Sequence, residues 1–182
     1  MSFSEQVDLG VDIPERLTVA PFFPDDRLLH LHPNWFILRF SREGRDFSAR
    51  VKDYATEEEL TISGSFEFDS DGGRLIDIRL EEGNRLHIVF FSDRGRLQVR
   101  VESEETVEPD NPNLLWIKAI REYLRLNLKR SPFALFWRFV MNRVILTMNP
   151  SQRKICLMIA RFTMLELLVI VLIVVGYFIF VL

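Results

Sequence analysis

Residues 74–101 read RLIDIRLEEGNRLHIVFFSDRGRLQVRV, and this stretch decides the fold. Apolar side chains occupy alternate positions in its first and last parts, with aspartate, arginine and glutamine between them. Such alternation is typical of strands that bury one face. Residues 86–91 are apolar at nearly every position, as expected of a central strand. The stretch therefore predicts three neighbouring strands.

Three further runs with the same period precede this stretch, at residues 36–40, 47–51 and 60–68. The runs are separated by short segments rich in glycine and charged residues, at residues 42–44, 70–73, 82–84 and 93–95. These compositions favour tight turns, and connections this short make neighbouring strands antiparallel. The sequence therefore predicts a six-stranded antiparallel β-meander, either a curled sheet or a small open barrel.

A sheet with one apolar face needs a cover, and a helix that begins at Asn111-Pro112 is the candidate. A capping side chain followed by proline is a common helix start. Leu114, Ile117, Leu124 and Leu128 form the predicted apolar stripe of this helix. The fold class is thus α+β, with a meander-plus-helix domain over residues 33–130. Residues 1–32 are predicted to be an extended arm that can add an edge strand.

The C-terminal run, residues 162–182, reads FTMLELLVIVLIVVGYFIFVL and is charged only at Glu166. As a helix it would be about 31 Å long, which matches a hydrocarbon core of about 30 Å. Residues 150–182 are therefore predicted to form one membrane-proximal and transmembrane helix. Because the apolar run closes the sequence, a single-pass, tail-anchored membrane protein is expected.

Charge is distributed unevenly along the chain. Residues 1–112 hold 13 Lys and Arg against 24 Asp and Glu, whereas residues 113–163 hold ten basic residues and one acidic residue. Basic residues beside a span favour the cytoplasmic side, so the β domain is predicted to be cytoplasmic. The basic residues nearest the span, Arg153, Lys154 and Arg161, suit anionic lipid headgroups.

Residues 131–149 form an aromatic segment between the β domain and the span. Ser131-Pro132 and Asn149-Pro150 predict helix starts, and residues 132–148 are charged only at Arg138 and Arg143. Such a helix suits a membrane interface, with its arginines at the headgroups, or packing against a partner's membrane subunit. A second span is less favoured because two arginines near its middle would be costly. The predicted partner and membrane contacts are Phe133, Phe136, Trp137, Arg138, Phe139, Arg143, Arg153, Lys154, Arg161 and Glu166.

The sequence carries no recognisable catalytic pattern. It has neither a phosphate-binding glycine loop nor a nucleophile elbow, and the single Cys156 excludes an internal disulfide and a cysteine-cluster metal site. His30 and His32 are interpreted as edge or core histidines, because no third ligand stands at a fixed spacing. No catalytic residue, metal or cofactor is therefore predicted. The acidic β domain argues against nucleic acid as a partner.

These features together predict a non-catalytic accessory or scaffold subunit on the cytoplasmic face of a larger membrane protein complex. The alternative is a membrane-anchored lipid-binding or lipid-sensing β domain. Some of the 16 phenylalanines would then line a cavity inside the curled sheet. The same phenylalanines would also suit an ordinary packed core.

Overall fold

The computed structural model describes residues 3–14, 17–24, 26–68, 74–81, 85–103, 111–129 and 131–181. Within these residues, seven strands form one antiparallel sheet in the order β1-β7-β6-β5-β4-β3-β2. The strands are β1 (Phe3–Asp12), β2 (Trp35–Glu43), β3 (Asp46–Asp53), β4 (Glu59–Phe68), β5 (Arg74–Leu80), β6 (Leu86–Asp93) and β7 (Arg96–Ser103). Strands β2 to β7 are the six-stranded meander that the sequence predicts. The N-terminal arm adds β1 as an edge strand beside β7.

The three helices that follow the sheet occur in the order expected from the sequence, whereas a 3-10 turn and a first short helix interrupt the arm that was predicted to be extended. A 3-10 turn at Ala20–Phe22 and the short α1 (Arg27–His30) connect β1 to β2. The sheet is followed by α2 (Pro112–Leu128), α3 (Pro132–Val140), a π-helical turn at Met141–Ile145, and α4 (Pro150–Val181). The predicted α+β fold, a meander with a C-terminal covering helix, is therefore confirmed.

Local capping explains where the last three helices begin. The side chains of Asn111 and Ser131 each accept a hydrogen bond from a backbone N–H in the first turn of their helix. Asn149 accepts a bond from the Gln152 backbone N–H at 2.8 Å, and the Gln152 side chain accepts one from the Asn149 N–H at 3.0 Å. This reciprocal pair is a capping box. All three starts were predicted from a capping residue followed by proline.

Two of the predicted turns can be compared with the structure. Gly44, between β2 and β3, has a φ of +64°. Arg94 and Gly95, between β6 and β7, have φ values of 50° and 76°, as a two-residue type I′ hairpin requires. The turns predicted at residues 70–73 and 82–84 lie outside the described residues.

The chain divides into two compact units, Met1–Thr147 and Met148–Leu182. The first unit, here called the head, contains the sheet and α1 to α3; the second contains α4. The predicted domain boundaries at residues 33 and 131 both fall within this first unit, which contains the arm, the sheet and α3. These boundaries stay predictions. Among the described residues, one helix, Pro150–Ile179, is long and apolar enough to cross a membrane by length and composition.

The core lies between the sheet and α2. The buried residues of α2 are Trp116, Ile117, Ile120, Tyr123 and Leu124. The predicted stripe is therefore displaced, because Leu114 and Leu128 are only half-buried. Trp116 and Tyr123 can be fully buried because their polar groups form hydrogen bonds. The indole N–H of Trp116, for example, donates to the Leu28 carbonyl at 2.9 Å.

Strands β4 and β5 approach each other closely at Gly64. This glycine is buried and pairs with Leu80 of β5. A Cβ at this position would lie 2.0 Å from the backbone carbonyl oxygen of Arg79. Because that neighbour is backbone, it cannot turn aside as a flexible side chain could. Only glycine fits here without separating the two strands.

Substitution of Gly64→Ala should therefore strongly destabilise the head. Overpacking typically costs about 1–3 kcal/mol, and a clash with backbone should place this variant at or above the upper end. The midpoint of thermal unfolding, followed by near-UV circular dichroism of the full chain in detergent, measures the effect. Ser65→Ala, at a half-buried neighbouring position, is the control. A Gly64→Ala midpoint equal to that of the control would contradict the packing argument.

A buried histidine lies at the end of the core. His32 is 2% exposed, and its ring stacks on Trp35 with 3.7 Å between centroids. The edge of Trp116 is close by, with 5.6 Å between ring centroids. Burial among these rings lowers the pKa of His32 from 6.5 to about 3, because the charged imidazolium would lose its hydration. His32 is thus a neutral core residue, as the sequence interpretation allowed.

The depressed pKa of His32 makes the free energy of unfolding depend on pH. Between about pH 6.5 and pH 3 the unfolded chain binds a proton at this site and the folded chain does not, so stability falls as the pH is lowered through this window. The limiting slope for one proton is about 1.4 kcal/mol per pH unit. His32→Phe keeps an aromatic ring and removes the titration, so its stability should fall less steeply. Parallel denaturant-unfolding results for the two proteins from pH 6.5 to pH 4 would contradict this.

Candidate interaction site

Helix α3 has one face that packs on the head and one that is exposed. Ala134 is 2% exposed on the packed side. On the other side Phe133, Phe136 and Phe139 are 71%, 58% and 63% exposed, and Trp137 is 39% exposed. We call these four residues the aromatic face. The structure thus brings together the four aromatic residues that the sequence predicted as contacts.

Arg138 fixes α3 to the end of α2. Its Nε donates to the Leu126 carbonyl at 3.0 Å, and a terminal guanidinium nitrogen donates to the Lys129 carbonyl. Carbonyls at a helix C-terminus lack partners within the helix and carry partial negative charge, so a guanidinium satisfies them well. The sequence did not indicate this contact, in which Arg138 caps a neighbouring helix of the head.

The segment after α3 is fixed through the hydroxyl of Tyr123. This buried oxygen lies 3.0 Å from the side-chain oxygen of Asn142, 3.0 Å from the Phe22 carbonyl and 3.0 Å from the Arg27 guanidinium, which donates to it. Leu146, further along the chain, is buried in the core cluster. Helix α3 is therefore held to the head through Arg138 in its last turn and through the segment that follows it. In the sequence, Ser131, Arg138 and Asn142 are seven and four residues apart, which places them on one side of a helix. This polar stripe is the sequence signal for the side of α3 that contacts the head.

Trp137 lies at the border between the aromatic face and the head. It lines a groove of about 300 Å³ between α2 and α3. Its ring meets those of Phe133 and Phe136 edge-on, with centroids 5.9 Å and 5.8 Å apart. The groove is further lined by Leu31, Ala119, Glu122, Tyr123, Leu126 and Met141. Edge-on contacts of this kind are favourable, so they favour one arrangement of Phe133, Phe136 and Trp137.

The other predicted contact residues are distributed over both units. Arg143 is exposed in the π-helical turn that follows α3. Arg153, Lys154, Arg161 and Glu166 all belong to α4, in the second unit. Arg153 donates from Nε to the Met148 carbonyl at 2.9 Å. Their contacts with headgroups or a partner stay predictions.

A charged cluster on the outer face of the sheet was not found from the sequence. Asp77, only 6% exposed, lies 3.0 Å from His87 Nε2 and 3.4 Å from both Arg74 and Arg79. The other ring nitrogen of His87 is 3.3 Å from Glu102. Each group already has a polar partner within the cluster, so we interpret the cluster as structural. No cluster of side chains suited to a metal ion occurs in the part of the chain that the structure describes.

Comparisons with known proteins give only a weak likeness. No family model matches this chain, and no curated protein matches it in sequence. An AHSA1-like protein from Aeromonas hydrophila, solved by NMR, is 10% identical, with 72% of this chain and 97% of that chain covered and a TM-score of 0.40. A protein from Deinococcus radiodurans is 16% identical, with 70% and 99% covered and a TM-score of 0.39. One from Cytophaga hutchinsonii is 14% identical, with 71% and 96% covered and a TM-score of 0.38. Likeness at this level says nothing about what the present chain does.

Loss of the Arg138 contact should loosen α3 and leave the sheet intact. In Arg138→Gln the charge-assisted bonds to α2 are lost, and such bonds are worth about 1.5–3 kcal/mol. We expect the backbone amides of residues 132–145 to exchange hydrogen about tenfold faster or more, while strand amides stay protected. The measurement is hydrogen exchange by mass spectrometry on the full chain in detergent. Arg143→Gln, at an exposed position, is the matched control, and equal exchange in the two variants would contradict the assignment.

Proposed function

We propose that this protein is a non-catalytic accessory subunit anchored in a membrane through α4. Its head docks through the aromatic face of α3 on the cytoplasmic side of a larger integral membrane protein complex. The observation that carries the proposal is the exposure of four large aromatic side chains on a helix whose opposite side is fixed to the head.

The aromatic face has the properties of a binding surface. Large contiguous apolar patches are rare on isolated soluble domains and mark contacts with proteins or membranes. Aromatic side chains also contribute most of the binding energy in many interfaces. Since Arg138 and Asn142 already hold α3, docking would lose little conformational entropy. Burial of this surface against a partner is therefore expected to be more favourable than its exposure to water.

The segment that follows α3 in the sequence indicates what kind of partner this would be. Only residues 141–149 separate α3 from α4, and α4 is long and apolar enough to span a bilayer. Because so few residues separate them in the sequence, we expect the partner of this surface to be a membrane protein as well. The excess of basic residues over residues 113–163 favours the cytoplasmic side and anionic headgroups. An integral membrane protein, with lipid around it, fits these conditions.

The alternative, a lipid held inside the curled sheet, has less support. The inner face of the sheet is occupied by aromatic rings in mutual contact. Phe23 stacks on Phe68 with 5.5 Å between centroids, and Phe47 meets Phe66 at 5.1 Å. Trp116 of α2 fills the space beside Trp35 at 5.6 Å. These rings form a packed core where the alternative would need a cavity.

Removal of the aromatic face should release the protein from its complex. In the triple variant Phe133→Ala, Phe136→Ala and Phe139→Ala, three exposed rings are lost, while Trp137 stays to cover the groove. We expect the fraction that co-migrates with the complex after mild detergent extraction to fall at least tenfold, since one interface hot spot alone is worth about 2 kcal/mol or more. Native gel electrophoresis and native mass spectrometry measure this fraction.

The controls separate docking from folding and from membrane insertion. Leu38→Ala and Leu115→Ala remove exposed leucines elsewhere on the head, 45% and 43% exposed, and should leave co-migration unchanged. The triple variant should still resist extraction by alkaline carbonate, because α4 is untouched. Unchanged co-migration of the triple variant would reject the proposed docking surface. Loss of its thermal transition would instead place these rings in the core of the head.

A further inference from the structure

Glu166 is the single charged residue of residues 162–182. It follows Arg161, the last basic residue of α4, by five positions, or about 7.5 Å along the helix axis. If Arg161 lies at headgroup level, the Glu166 backbone lies inside the hydrocarbon. Ionisable residues at such depths are rare, costly and mostly functional, and they pair with a group of opposite charge.

The helix itself offers Glu166 no such group. The positions three and four residues away, where helical side chains meet, hold Phe162, Thr163, Val169 and Ile170. Arg161 projects about 140° away around the helix. The Thr163 hydroxyl already donates to the Ile159 carbonyl at 3.1 Å. Across the described residues, Glu166 has no hydrogen bond and no ion pair.

The surroundings of Glu166 on α4 are open. Leu165, Leu167, Ile170 and Ile173 are 59%, 56%, 60% and 66% exposed, and none of the side chains of the span is buried in the described structure. A carboxylate left among lipid chains would be costly, whereas a cation on a neighbouring helix would offset that cost. A cation that offsets this cost would therefore come from outside this helix.

We propose that Glu166 docks α4 against a transmembrane helix of the partner that carries a lysine or arginine at matching depth. The inference rests on the proposed accessory function and names the chemistry of the partner. The contact stripe is Glu166 with Thr163, Ile170 and Ile173, which share one side of the helix. Thr163, the smallest of them, permits close approach of the two backbones. An intramembrane ion pair of this kind selects one partner helix against those without the cation.

The test uses the full-length chain in its own membranes, with a photo-crosslinking residue in place of Ile170 or, as the opposite-side control, Leu168. We expect crosslinks from position 170, and none from position 168, to a transmembrane segment within about one turn of a lysine or arginine. Glu166→Leu, which cannot weaken insertion of the span, should lower the assembled fraction about tenfold. Exchange of the charges, Glu166→Lys with the partner's cation changed to glutamate, should restore it.

Several results would overturn the proposal. These are wild-type assembly of Glu166→Leu, crosslinks to a segment without a nearby cation, crosslinks to a second copy of this chain, and crosslinks to lipid alone. The aromatic triple variant in the same assay separates the two proposals. If it loses the complex while Glu166→Leu does not, docking through α3 stands and the role of Glu166 is rejected. If neither variant changes assembly, both are rejected.

Discussion

The hydroxyl of Tyr123 is the contact on which the architecture of the head depends. It joins the segment before β2, the covering helix and the turn after α3 through Phe22, Arg27 and Asn142, which are far apart in the chain. A buried hydroxyl without partners would cost about 1–3 kcal/mol, so these segments stabilise one another. The position of the aromatic face is thereby coupled to the core. A change in packing around Tyr123 would alter how α3 is presented.

The aromatic side chains of the head include two contrasting groups, one buried in the core and one exposed on α3. Phe47 and Phe66 lie on strands, where alternation directs every second residue toward α2 and into the core. Phe133 and Phe139 lie on a helix that is apolar around most of its circumference, although only one side of it packs on the head. A strand directs alternate residues to one face, so covering that face buries the rings that it carries. Helix α3 carries apolar residues around most of its circumference, so packing on one side leaves some of its rings exposed.

The local patterns in the sequence were sufficient for the six strands of the meander and for the starts of α2, α3 and α4, but not for the 3-10 turn and α1. Alternation between residues 74 and 101 and the caps at Asn111 and Ser131 act over a few residues, so they can be recognised without knowing the fold. The same patterns located the aromatic residues of the candidate site. The acceptors of Arg138 and the partners of Asp77 could not be found in this way, because they depend on which elements meet in space. The apolar stripe of α2 was displaced for the same reason, since the burial of Tyr123 depends on partners elsewhere in the chain.

The pairing of β1 with β7 has a consequence for the order of folding. Val7 lies opposite Val99, so the strand that precedes the meander pairs with the strand that ends it. Contacts between such distant residues form slowly, because a long loop must close first. Until then β1 is a free strand and the outer edge of β7 has unpaired backbone groups, which are a template for aggregation. A nascent chain would hold β1 unpaired through the synthesis of the other six strands, and the apolar α4 would emerge only after that edge can close.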